Sequence, residues 1–322
     1  MTRWLRTVAT LVVSTLALVY IIVKVDVRRS VEIIGSADPL WVSVSLFLIV
    51  VMVFPMAWRW RLLLRARGIQ EGTSWLARTY YVGFAVGQVL PTSVGVDASR
   101  IYETVRRHPG MASPIAGSVL VERALAGVVT LVLAAVGFLL AIGRYPVGGY
   151  LWIELMFVFG TIVLAIVFFS RRARDRLVVL VPLTRRLRVE RFARAIYEGV
   201  HGYRNVVGVL AVVALTTLVV QIAGIVSIYA TGRAVGIDVP PLTYVVFGPL
   251  LFLVTLVPFT INGLGVREAF FVSFLGKLGV EPEAAFASGF LFFLMTILLA
   301  IPGLAIILWQ GVRRPPAHLD SA

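Results

Sequence analysis

Cysteine is absent from the 322 residues, and histidine occurs only at His108, His201 and His318. The chain therefore offers no disulfide framework, thiol nucleophile or cysteine-based metal site. The scattered histidines form no ligand cluster either. Charge is scarce, at 14% of residues against 59% hydrophobic, and the mean hydropathy is +0.94. Acidic residues are scarcer than basic ones, 16 against 30, for a formal net charge of +14. There is no Ser-His-Asp set, P-loop, Asp-rich metal motif or nucleotide-binding domain. Gly263-Leu-Gly265 lacks the strand–turn–helix setting of a dinucleotide site. No catalytic residue, metal or cofactor is expected, and the chain is not read as an enzyme. Nucleic-acid binding would need a soluble basic fold, which this composition excludes. Transport, if any, must be passive, gradient-coupled or driven by a partner.

What the chain has in abundance is long apolar sequence. Several runs exceed the roughly 18 residues needed to cross a hydrocarbon core about 30 Å thick, and none shows the short alternation of a β-barrel strand. The expected fold class is an all-α polytopic membrane protein, a single transmembrane domain over 1–322. Six full crossings are expected at about 7–23, 40–57, 114–142, 151–170, 206–229 and 284–309. The first, which follows Arg3 and Arg6, has no small-x-small cleavage site after it and reads as a retained span rather than a signal peptide.

Two further apolar segments, 75–90 and 242–257, run into broken, charged motifs. The first motif is Pro91-Thr-Ser-Val-Gly95-Val-Asp97-Ala-Ser-Arg100. The second is Pro258-Phe-Thr-Ile-Asn262-Gly263-Leu-Gly265-Val-Arg267-Glu268. Each has glycine four or five residues after the proline and arginine nine residues after it. The next proline lies 23 residues on in one case (114 − 91) and 24 in the other (282 − 258). Proline and glycine break helices, so Pro91, Gly95, Pro258, Gly263 and Gly265 are the expected breaks and hinges.

Arginine placement decides what these segments do. Arg59, Arg61, Arg65, Arg67 and Arg78 follow the second span. The stretch 171–204 carries ten arginines against Asp175, Glu190 and Glu198, and Arg313 and Arg314 follow the last span. All of these fall on the cytoplasmic side, as the positive-inside rule requires, if both broken segments are re-entrant helical hairpins. The expected topology is N-in and C-in: an inverted-topology repeat of 1–142 and 143–312, joined by a basic cytoplasmic connection at 171–205 that suits an anionic leaflet surface. Trp58, Arg59, Trp60 and Arg61 read as an interfacial anchor.

Charges inside a bilayer are costly and face a cavity or a partner. Three groups qualify: Asp97 and Arg100 with Glu103; Asn262, Arg267 and Glu268; and Glu122 and Arg123. Arg100 and Arg267 suit a phosphate, because the guanidinium fork gives two parallel hydrogen bonds. Asp97, Glu122 and Glu268 would balance them. The alternative is that these groups pair with one another and only fix the hairpins.

At these residues the chain resembles the lysylphosphatidylglycerol synthase transmembrane family, the flippase-like domain family. The resemblance rests on Trp58-Arg59, Leu90-Pro91 with Gly95 and Arg100, Glu122-Arg123, and the Gly263-Leu-Gly265-Val-Arg267-Glu268 ending. Val96-Asp97 stands where the family often carries a glutamate. The resemblance implies a stand-alone member, without the aminoacyltransferase domain of larger relatives, in a prokaryotic cytoplasmic (inner) membrane as a multi-pass protein. It implies a translocator of an anionic or phosphate-bearing lipid, with a phospholipid or a polyprenyl or hopanoid lipid as partner. The other reading is an accessory membrane subunit, or a membrane-embedded transferase, in lipid or glycolipid envelope biosynthesis, with a biosynthetic enzyme as partner.

Overall fold

The computed structural model describes residues 19–21, 23–89, 94–141, 202, 203, 205–255 and 265–313. The expected spans at 7–23 (apart from 19–21 and 23) and 151–170, the basic connection at 171–205 (apart from residues 202, 203 and 205), and Pro91, Pro258, Asn262 and Gly263 lie outside these residues. Within them the regular structure is entirely helical: α1 (Val27–Gly35), α2 (Pro39–Val51), α3 (Val53–Arg65), α4 (Thr73–Val89), α5 (Val94–Arg107), α6 (Ala112–Ala141), α7 (Val207–Ala234), α8 (Pro241–Thr255), α9 (Val266–Gly276) and α10 (Pro282–Arg313).

Four stretches are long and apolar enough to cross a bilayer: Pro39–Arg65, Ala112–Gly137, Val207–Ala234 and Pro282–Gln310. The protein is a multi-pass helical membrane protein. The outward faces of these helices are apolar, with Phe47, Val132, Leu215 and Leu304 among the exposed residues. Such a surface suits acyl chains and not water.

One boundary differs from expectation. The second span continues through the arginines to Arg65 instead of ending near residue 57. A single turn residue, Met52, joins α2 to α3. The reason is local: Pro55 has no N–H to donate to the Val51 carbonyl, and the helix restarts around it. A short helix, α1, lies between the first two expected spans. Asp26 caps it by accepting from the Arg29 amide at 3.2 Å, and the Arg29 guanidinium reaches Glu281 before α10 at 3.0 Å.

The two broken segments are helical pairs. α5 runs back along α4. At the tip, Val96 sits on Gly83 and Gly87; a Cβ at Gly83 would lie 3.0 Å from the Val96 carbonyl oxygen, and one at Gly87 would lie 2.7 Å from its Cγ2. Small residues four apart let two backbones approach this closely. At the base, Glu71 just before α4 meets Arg107 at 3.2 Å and His108 Nε2 at 2.9 Å, just past α5. Both ends of this hairpin therefore lie together. In the second pair, α8 and α9 close around an aromatic cluster. Phe247 makes an edge contact with Phe271 at 4.7 Å and with Phe274 at 5.1 Å.

Among the described residues, a long span is followed by two shorter helices and a second long span both in α2–α6, where α2 and α3 together make the first span, and in α7–α10. The two series interlock. α7 lies along α2, where the Ser45 and Ser227 hydroxyls share a hydrogen bond of 2.8 Å. Gly137 of α6 approaches the backbone of Val245 and Val246 on α8. α10 lies along α4, with Gln88 Nε2 donating to the Thr296 carbonyl at 3.1 Å.

The α4–α10 contact is backbone-close. A Cβ on Gly303 would land on the Tyr81 carbonyl oxygen, with the Val82 amide nitrogen 2.9 Å away. Gly303→Ala must push α10 off the hairpin, and overpacking of this kind costs about 1–3 kcal/mol. Its thermal midpoint in detergent should fall. Gly127→Ala, which meets nothing within 4 Å, should leave the midpoint unchanged or slightly raised.

Candidate functional site

Ionisable side chains from three helices converge between α3, α4, α5, α6 and α10. Helical spacing sets their placement. Asp97 and Arg100 share one face of α5, three residues apart, while Glu122 and Arg123 are neighbours on α6 that diverge. Glu122 points into the bundle and is 3% exposed. Its Oε1 accepts from Arg59 Nη2 at 2.6 Å, from Arg59 Nε at 3.1 Å and from the Tyr80 hydroxyl at 2.8 Å. Its Oε2 accepts from Arg100 Nη1 at 2.7 Å.

Arg100 is just as deeply placed. It donates to Asp97 Oδ1 through Nε at 3.0 Å and through Nη2 at 2.8 Å, and Nη1 also donates to the Tyr80 oxygen. Its guanidinium lies over the rings of Trp60 and Tyr80, 4.7 Å from each centroid. Trp60 in turn donates Nε1 to Ser118 Oγ at 2.9 Å, and Arg59 gives Nη1 to Thr217 Oγ1 on α7 at 3.0 Å. The inner charges are thus satisfied on every side, which is the condition for keeping them out of water.

The network forms one wall of a cavity of about 290 Å³. Its polar side is Arg59, Tyr80, Asp97, Arg100, Glu122 and Arg123; Met56, Phe84, Ala126 and Leu299 supply an apolar side, with Gln88 and Thr296 between. Accessibility falls along the polar wall. The Arg123 side chain is 42% exposed and Asp97 17%, against 2% for Arg100 and 4% for Glu122. Arg123 therefore stands at the mouth, joined to Asp97 Oδ2 through Nε at 2.7 Å.

The structure brings Asp97, Arg100, Glu122 and Arg123 together as one site. Arg267 and Glu268 are not among the residues lining it. They pair with each other: Glu268 Oε1 accepts from Arg267 Nε at 2.9 Å and from Nη2 at 2.8 Å, while Glu268 Oε2 takes the Gly265 amide at 2.6 Å. Gly265 opens α9 with a φ of 83°, a conformation that favours glycine. Arg267 stacks on Phe293 of α10 at 4.8 Å, one turn from Thr296 in the cavity wall. Gly95 is buried near the start of α5, next to the cavity residue Val96.

The expected surface anchor is corrected. Trp58 is 40% exposed, but Trp60 is fully buried and Arg59 is 6% exposed. On a helix only every third or fourth residue shares a face, so Arg59 and Trp60 turn inward while Trp58 turns out. Arg59, Tyr80 and Thr217 are the site residues the sequence reading missed. Arg59 had a legible signal: an arginine inside an apolar helix of 27 residues. Tyr80 and Thr217 had none. No group of histidine, cysteine or carboxylate side chains able to hold a metal occurs among the described residues.

Removing Glu122 would leave Arg59 and Arg100 in the bundle without their shared acceptor. Breaking a buried ion pair from one side costs about 3–5 kcal/mol, so Glu122→Ala should markedly lower the thermal midpoint in detergent. Arg28→Ala, from the exposed pair with Glu32, should leave the midpoint unchanged.

Over 335 aligned residues the chain is 28% identical to a protein named Glycosyltransferase AglD from Haloferax volcanii, covering 90% of this chain and 52% of that protein. The chain thus spans about half the length of that relative. No solved structure matches it. Residues 7–303 match the family described as the lysylphosphatidylglycerol synthase TM region, nearly the whole sequence, and the chain belongs to that family.

Proposed function

We propose that the protein is a lipid translocator that passes an anionic or phosphate-bearing headgroup through the cavity while the acyl chains stay in the bilayer. The observation that carries this reading is the charged wall itself. Three guanidiniums (Arg59, Arg100, Arg123) and two carboxylates (Asp97, Glu122) line a chamber among membrane-spanning helices. Ionisable groups at such depth are expensive and mark substrate paths. A volume near 290 Å³ is at the small end of ligand sites, about 300–1,000 Å³; it suits a headgroup and not a whole lipid.

In this proposal the pairs α4–α5 and α8–α9 are the re-entrant hairpins of an inverted repeat, with N- and C-termini inside, as the arginine distribution requires. The membrane is the prokaryotic cytoplasmic one. Arg267 and Glu268 hold the second hairpin against Phe293 of α10 and so position the opposite wall.

A second reading, an accessory membrane subunit or membrane-embedded transferase in glycolipid assembly, is favoured by one observation: the relative's name, Glycosyltransferase. Against it, no metal-ligand group accompanies the carboxylates among the described residues.

Reconstitution in liposomes with fluorescent phospholipids, followed by dithionite quenching, separates the two. Wild type should expose the protected inner-leaflet label faster than protein-free vesicles. Ala126→Trp, which fills the cavity from α6, should abolish that acceleration while keeping the wild-type thermal midpoint. A wild type that accelerates no phospholipid would favour the accessory reading, and an Ala126→Trp variant as fast as wild type would show that the cavity is not the route.

A further inference from the structure

The charges of the cavity wall do not cancel, and the surplus can be assigned to one residue. Arginine remains protonated in proteins, so Arg59, Arg100 and Arg123 contribute +3 against −2 from Asp97 and Glu122, a remainder of +1. The inner pairs close on themselves. Both Glu122 oxygens are taken by Arg59, Tyr80 and Arg100, and Asp97 Oδ1 is taken twice by Arg100. Arg123 receives only the second oxygen of a carboxylate already committed to Arg100, and through Nε alone. Its two terminal nitrogens make no hydrogen bond among the described residues, and it is the most exposed of the five. Two parallel donors on an under-compensated guanidinium, at the mouth of a part-apolar chamber, match two oxygens of a phosphate.

We infer that Arg123 is the residue that captures the headgroup, that it does so through its two terminal nitrogens, and that the site is built for a single negative charge: a phosphodiester lipid and not a phosphomonoester. This rests on the proposed lipid route but is independent of whether the lipid is moved. A phosphodiester brings one charge and neutralises the wall. A phosphomonoester carries about −1.5 to −2 near neutral pH and would leave Asp97 facing a surplus of like charge. Arg59 and Arg100, which hold the helices together, do not release their partners on binding. Asp97 is then the residue that sets the charge preference, because it cancels part of the field at the mouth.

The test is lipid retention by native mass spectrometry of the purified full chain, released from detergent micelles containing one lipid at a time: phosphatidylglycerol, phosphatidic acid, or a dialkyl ammonium lipid without phosphate. Wild type should retain phosphatidylglycerol best and the ammonium lipid least. Arg123→Gln should lose phosphatidylglycerol retention by about tenfold, the weight of one charge-assisted contact, and Arg123→Lys should recover part of it, having charge without the fork. Asp97→Asn raises the surplus to +2 and should move the preference to phosphatidic acid. Thermal midpoints of all variants check that they are folded. Equal phosphatidylglycerol retention in wild type and Arg123→Gln would overturn the assignment of Arg123. A wild-type preference for phosphatidic acid, or an Asp97→Asn variant that is folded with unchanged preference, would overturn the single-charge rule. Phosphatidylglycerol bound through Arg123 but never translocated in liposomes would leave this inference standing and remove the transport reading instead.

Discussion

Glu122 is the acceptor on which four helices depend. It sits on α6 and takes hydrogen bonds from Arg59 on α3, Tyr80 on α4 and Arg100 on α5. Arg59 then extends the connection to Thr217 on α7. In a membrane, apolar helices gain little from contact with one another, because lipid chains are as apolar as leucine. Specific polar contacts and close packing at small residues must fix the arrangement, and this structure uses both. The network ties α4 and α5 to α3 and α6, and Gly83, Gly87 and Gly303 let α4 press against α5 and α10.

The same network creates the site. Charges buried with full partners form a stiff inner wall, while partners shared unequally leave a graded one. Asp97 divides its two oxygens between Arg100 and Arg123, and the exposed arginine receives the poorer share. Structural support and solvent-facing charge are thereby given to different arginines of one cluster: Arg59 and Arg100 are buried in ion pairs, and Arg123 is the exposed one. The second hairpin works differently: Arg267 and Glu268 satisfy each other locally, and Glu268 also holds the Gly265 amide that opens α9. That pair shapes a helix start and its stacking on α10.

Much of this was legible in the chain. The apolar runs, the two broken motifs and the intramembrane charges are properties of composition and spacing, and they led to the helices and to Asp97, Arg100, Glu122 and Arg123. Arg59 and Trp60 were misread as surface groups, because arginines near a span's end usually mark the interface. Here the helix runs on for more than a turn beyond them. Tyr80 and Thr217 are ordinary residues in apolar helices, and nothing local distinguishes them from packing.

The sequence by itself determined that this chain crosses a membrane as helices and which few charges must find partners, because each follows from the cost of exposing polar groups to hydrocarbon. Only the tertiary structure decided who the partners are. Glu122 had arginines available before and after it in sequence, and it chose Arg59 and Arg100 because α3 and α5 pack beside it in the same wall of the cavity. Arg267 turned to the adjacent Glu268. Pairing depends on which helix faces meet at hydrogen-bond distance, and that is fixed by packing between segments far apart in the chain.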